Sequence, residues 1–190
     1  MKRIWWIVLA AALLLTGCGA SAPDPHPEWD AAWVRVGTNL GAEAPEGFTF
    51  NRENTVSSAG LYYVTWSTGE GRDVTNAQGQ EVSAYDAQFY ILVEEKTKPE
   101  DAQAVVEEWM AMEAESYETG PEERLTAAGQ EFRILPLLKG GEDNPYHHGR
   151  AAFAVRGSNA MVVELLCVED WPGDPDSAME AFLQGLHYGT

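Results

Sequence analysis

The run Met161-Val162-Val163-Glu164-Leu165-Leu166-Cys167-Val168 is largely apolar at both parities. Along a strand, Met161, Val163, Leu165 and Cys167 fall on one face, and Val162, Leu166 and Val168 on the other. A strand with one wetted face alternates apolar with polar residues, so this one belongs to a sheet covered on both sides. Two segments have the helical spacing needed to supply that cover. Ala102, Val105, Val106, Trp109 and Met112 line one face of a helix from Pro99 to about Tyr117,. Thr97 and Glu100 have capping-box spacing, Pro99 sits in the tolerated first turn, and Gly120-Pro121 is the expected stop,. A last helix starts at an Asp174 N-cap, carries Met179, Phe182, Leu183 and Leu186 on one side, and ends near Gly189,.

The other periodic stretches read as strands. Phe48 and Phe50 mark a short one, and Leu61 to Ser67 a stronger one rich in aromatic and β-branched residues,. A longer strand runs from about Ala84 to Glu95, with Tyr85, Ala87, Phe89, Ile91 and Val93 facing a core. Phe132 to Leu138 is another, and Ala151–Arg156 with Ala160–Glu169 forms a hairpin turning at Gly157-Ser158-Asn159,. Between residues 67 and 83, glycines and Asn76 supply turns while only Val74, Ala77 and Val82 offer apolar surface, which predicts a projecting hairpin,. The expected fold class is α+β: a layered α/β sandwich around a mainly antiparallel sheet with two main helices.

The first residues carry an address. Met1-Lys2-Arg3 precede twelve uncharged apolar residues, Ile4 to Leu15, which form an export leader too short for a membrane span of roughly 20 residues,. Leu15-Thr16-Gly17-Cys18 resembles the lipobox of bacterial lipoproteins, which implies cleavage before Cys18 and diacylglycerol on its sulfur. Acyl chains at about 0.8 kcal/mol per buried methylene then hold the protein at the extracytoplasmic face of the cell membrane. Residues 1–17 are thus read as signal peptide, 18–27 as lipidated cysteine and tether, and 28–190 as one globular domain,.

Charge and cysteine usage exclude some roles. The 190-residue chain carries a formal charge of −18, and loss of Lys2 and Arg3 with the leader makes it more acidic still. Such a surface repels nucleic acid and anionic lipid headgroups. With Cys18 lipidated, Cys167 alone cannot form an internal disulfide, so the domain depends on its apolar core,.

The order of strands, helix, strands and final helix over Phe48–Tyr188 resembles the PsbP-like fold family, extrinsic proteins of photosystem II and their non-photosynthetic relatives. Pro45-Glu46-Gly47-Phe48 and the ending Ala181-Phe182-Leu183-Gln184-Gly185-Leu186-His187-Tyr188 carry the likeness. It implies a binding or assembly role, with no functional residue to carry over.

Chemical candidates are few. His147, His148 and nearby Asp143 form a loop with transition-metal ligand types, but adjacent histidines point apart on a strand and structural zinc sites use wider spacings,. Glu169, Asp170, Asp174 and Asp176 surround Trp171-Pro172-Gly173 without the calcium-loop pattern, and helix capping accounts for Asp174 and Asp176,. Cys167, among Leu165, Leu166 and Val168, reads as a buried inert thiol,. No nucleophile elbow, phosphate-cradling glycine loop or His-Glu-x-x-His pair occurs,. Most aromatics read as core, with Trp29 and Trp33 beside the tether less determined,. The expectation is a non-enzymatic lipoprotein without cofactor. It is anchored through Cys18 and contacts a protein partner through the sheet edge or the 67–83 hairpin, with Gly71, Asn76 and Gly79 as candidate positions. The alternative is a lipoprotein that binds a small ligand or metal.

Overall fold

The computed structural model describes residues 33–76 and 78–189. The leader, Cys18, the tether, Trp29 and Ala77 lie outside the described residues. In chain order the strands are β1 (Trp33–Gly37), β2 (Leu40–Glu43), β3 (Phe48–Ser58), β4 (Leu61–Thr68), β5 (Arg72–Thr75), β6 (Glu81–Ala84) and β7 (Ala87–Glu95). Helix α1 (Pro99–Ser116) follows, then β8 (Tyr117–Thr119), β9 (Glu123–Ala127), β10 (Gln130–Gly140), β11 (His148–Arg156) and β12 (Asn159–Cys167). Helix α2 (Pro175–Gln184) and β13 (Leu186–Tyr188) close the chain.

Eight strands form one antiparallel sheet in the order β3-β4-β7-β12-β11-β10-β8, with β9 also paired to β10. Strand β12 is central and covered on both sides, as its double-parity pattern requires. On one face Met161, Val163, Leu165 and Cys167 pack with Met179, Phe182 and Leu183 of α2 and with Trp66, Phe89 and Ile91. On the other, Ala160 and Val162 pack with Ala102, Val106, Trp109 and Met110 of α1. The odd-numbered residues Ala87, Phe89, Ile91 and Val93 of β7 are buried. Asp174 caps α2, its carboxylate accepting from the Ser177 amide at 3.1 Å,.

Several boundaries differ from the sequence reading, each through a long-range competitor. No capping box forms, because Lys98 is the N-cap of α1 and no side chain caps the helix; Glu100 and Asp101 complement the first turn instead,. Helix α1 stops at Ser116, ahead of Gly120-Pro121, because Tyr117 turns to an extended backbone and β8 pairs with β10. The expected strand from Ala84 breaks at Tyr85-Asp86, leaving Ala84 in β6 and starting β7 at Ala87. Helix α2 ends at Gln184, and Leu186–Tyr188 instead pairs with β2 as a strand. Strands β1, β2 and β9 were not anticipated. The small β1-β2-β13 sheet lies against the α2 face and brings in Val36, Leu40 and Ala42. Within it, Trp33 stacks on His187 with ring centroids 3.5 Å apart.

The β3–β4 and β9–β10 hairpins turn on Ala59-Gly60 and Ala128-Gly129, all four at positive φ. That combination matches the twist of a two-residue hairpin, and it places an alanine in the left-handed region each time.

Candidate functional site

The 67–83 segment folds as the expected hairpin. Strands β5 and β6 form a two-stranded sheet of their own, in register from Arg72↔Ala84 to Thr75↔Glu81. Its tip is organised by Asn76, whose Oδ1 accepts from the amides of Gln78 and Gln80 at 3.1 and 2.9 Å. Asn76 is 4% exposed, so this side chain is committed to the turn. Gly79 supplies a left-handed φ of +76° that other residues adopt at a cost,. Gly71 is exposed, and a Cβ there would meet only ordinary contacts with Ser83 and Tyr85. The surface available on this ribbon is therefore Arg72, Asp73, Thr75, Gln78, Gln80, Glu81 and Ser83, all exposed. At its base the Arg72 guanidinium donates to Asp86 and to Asp170, both at 2.5 Å.

Asp174 and Asp176 also have protein partners. Asp176 pairs with Arg150, and Asp174 holds the Ser177 hydroxyl as well as its amide. Gly173 is required by close approach, since a Cβ there would come within 2.2 Å of the Trp171 ring. Among the described residues, no three His, Cys, Asp or Glu side chains converge as a metal ion needs,. His147, His148 and Asp143 are thus not assembled into a ligand set. His148 opens β11 opposite Cys167, and partial burial lowers its pKa below the usual imidazole value, helped by His147 and Arg150. Cys167 is buried and free, and desolvation pushes its thiol up to about 12.

The feature that sequence reasoning missed lies beneath α1. Register places Thr65, Tyr90 and Glu164 side by side across β4, β7 and β12. Glu164 is 2% exposed and its Oε1 has no hydrogen-bond partner, nor has the buried Oγ1 of Thr65. Desolvation holds the Glu164 carboxyl well above the usual carboxylate range, and the charge of Glu113 raises it further. Glu113, on α1, is half-buried, and its pKa is also raised by desolvation. Phenols complete the surroundings. Tyr63 stacks tilted on Tyr90 at 5.5 Å, and burial, with Glu164 next, raises its hydroxyl to about 12. Asn144 donates to the Tyr117 hydroxyl at 2.6 Å, and the Tyr146 hydroxyl donates to Gln88 at 2.9 Å. The 141–147 loop therefore closes over this polar row beside the end of α1. A glutamate inside an apolar run was the available sequence signal.

Large apolar side chains are well covered: among the described residues only Leu138, at 53%, is strongly exposed. No described helix is long and apolar enough to cross a membrane.

No family model matches the chain, and no curated protein matches it. Among solved structures, the chain is similar to the solution structure of cyanobacterial PsbP (CyanoP) from Synechocystis sp. PCC 6803. That likeness has a TM-score of 0.46 and 14% identity, covering 92% of this chain and 99% of that one. It is also similar to a crystal structure from Bacteroides thetaiotaomicron VPI-5482, at a TM-score of 0.40 and 9% identity, covering 83% of this chain and 47% of the other. Neither likeness transfers a role to any residue here.

Proposed function

We propose that the chain is an extracytoplasmic lipoprotein, anchored through a lipid on Cys18, that acts as a non-catalytic module binding a protein partner through the β5–β6 ribbon. The observation that carries this reading is the ribbon itself. It forms a separate sheet, its tip is set by Asn76, and Arg72 braces its base against Asp86 and Asp170. An exposed element that buries little apolar surface yet is held in one shape offers a pre-ordered surface for recognition, which lowers the entropy cost of binding. With Leu138 the one large apolar side chain exposed among the described residues, recognition on this module is polar.

Two arms test the proposal. In the first, residues 70–81 are replaced by an Asn-Gly turn, and thermal unfolding and pull-down from envelope extracts are compared with the parent. A folded variant that loses a partner held by the parent supports the ribbon as the interface; retention of every specific partner overturns it. In the second, Cys18→Ala is expected to abolish metabolic lipid labelling and membrane retention. Unchanged labelling removes the lipoprotein assignment and leaves the ribbon arm standing.

A further inference from the structure

Strands β5 and β6 continue the β4–β7 hairpin beyond the main sheet. Strand β3 begins at Phe48, opposite Thr68, and β12 ends at Cys167, opposite Ala87, so neither neighbouring strand follows the ribbon outward. Between the pairs Ser67↔Gln88 and Arg72↔Ala84 lie residues 68–71 on one side and 85–87 on the other, an extra residue that makes a β-bulge. A bulge bends its strand and adds twist, which turns the ribbon away from the flanking strands. The two edges then differ. Beside β6, the stretch after β12 stays close: the Val168 amide donates to the Asp86 carbonyl at 3.0 Å, and Asp170 accepts from Arg72. Among the described residues, no strand pairs with the outer edge of β5.

The backbone along that edge is aimed outward. The Asn76 amide donates to the Gln80 carbonyl at 3.0 Å. Antiparallel ladders alternate, so Val74 and Val82 form the next hydrogen-bonded pair, and the N–H and C=O groups of Asp73 and Thr75 point away from β6,. Side chains alternate too. Val74 and Val82 are half-buried on one face, while Asp73, Thr75, Glu81 and Ser83 are exposed on the other,. Among the described residues neither Asp73 nor Glu81 has an ion-pair partner, and Arg72, the one cation of the ribbon, is committed to Asp86 and Asp170.

We propose that the outer edge of β5 takes up an extended, lysine- or arginine-bearing segment of another protein as an added strand. This rests on the ribbon being the interface and names the chemistry it recognises. Main-chain hydrogen bonds to Asp73 and Thr75 supply the docking, and the alternation of side chains supplies the choice. A partner residue opposite Asp73 lies on the face that also carries Glu81, so a basic side chain there is drawn to two uncompensated carboxylates,. A second copy of this chain fits badly. Pairing β5 to β5 would set two ribbons side by side, each with Glu70, Asp73 and Glu81 against a single Arg72,.

The test titrates short fluorescein-labelled peptides, alternating lysine with valine or glutamate with valine, into the parent protein and follows fluorescence anisotropy. The lysine peptide is expected to bind saturably, more weakly as salt rises, and the glutamate peptide not at all. Thr75→Pro removes an outward N–H and spares the β5–β6 ladder, because proline is tolerated on an edge whose N–H faces solvent. It is expected to weaken binding by about tenfold, the worth of a hydrogen bond or two, and Asp73→Lys by at least as much. Ser83→Pro, the same change on the β6 edge, leaves binding unchanged. Should Thr75→Pro disturb the ribbon, seen in the amide signals of Gln78 and Gln80, peptide-induced shifts in the parent decide instead. Movement of the Asp73 and Thr75 amides supports the β5 edge, and movement confined to Glu81 and Ser83 overturns it. Absence of saturable binding also overturns the proposal, as does unchanged binding to Asp73→Lys or to a folded Thr75→Pro, equal weakening in Ser83→Pro, or self-association of the parent through β5. A partner lost when 70–81 is replaced but kept by a folded Thr75→Pro protein sinks strand addition alone and leaves the ribbon as the interface.

Discussion

Arg72 donates to Asp170 across 98 positions of sequence, at 2.5 Å, and the same guanidinium holds Asp86. The pairing ties the ribbon to the loop that leads into α2. Exposed ion pairs add little to global stability, so their effect here is on orientation. Arg72→Ala is expected to leave the thermal midpoint nearly unchanged while amide exchange across β5 and β6 accelerates. Unaltered exchange would show that the backbone around Gly71 and Asp86 orients the ribbon without the arginine.

Trp109 lies in the middle of the apolar face of α1 and is buried against the sheet with Ala102, Val106 and Phe153. Truncation to Ala removes the largest side chain of that cluster, and the expected loss in urea unfolding is roughly 3–5 kcal/mol. A loss under about 0.5 kcal/mol would mean the helix is not docked through this face.

Glu164 gives stability a dependence on pH whose direction is set by its raised pKa. The folded state keeps a proton that the unfolded chain releases above the ordinary glutamate value of 4.5. The contribution is therefore fully present below that value and lost as pH rises toward the folded pKa, at about 1.4 kcal/mol per pH unit for one proton. Glu122, held low by Arg133, and Asp174, held low by Ser177, act in the opposite direction. Subtracting the profile of Glu164→Gln from that of the parent isolates the single group. The variant is expected to gain on the parent steadily from pH 5 to pH 7. A constant difference over that range would show that Glu164 is already ionised in the fold.

Ala59 occupies the first position of the β3–β4 turn at φ 39°, exposed to solvent. The left-handed region costs a residue with a Cβ about 1 kcal/mol, and asparagine tolerates it better. Ala59→Asn is expected to raise stability by some part of about 1 kcal/mol, measured by chemical denaturation. A destabilised variant would point to a turn of another type in solution.

Much of the architecture was legible because it depends on neighbours a few residues apart. The double-parity run of β12 required cover on both faces, the 3.6 spacing around Trp109 and around Phe182 marked the two covering helices, and Asp174-Pro175 announced the start of α2. The ribbon was equally local, since turn-formers and scarce apolar residues describe it without reference to the rest of the chain. The Ala59-Gly60 and Ala128-Gly129 turns escaped notice because alanine carries no turn preference, and strand pairing imposes the conformation on it.

The sequence by itself determined the layers of this domain, since burial of an apolar face is a property of the side chains along one segment. Only the tertiary structure decided where the segments end and which polar groups meet. Helix α1 gives way at Tyr117 because β10 offers a pairing partner, and Leu186–Tyr188 becomes a strand because β2 has a free edge beside it. Glu164 stands out in sequence only as a glutamate inside an apolar run, and its burial cannot be read from that alone. The raised pKa of Glu164 arises only once β12 is buried in the sheet beneath α1, because the field at a carboxyl is set by what surrounds it in space,.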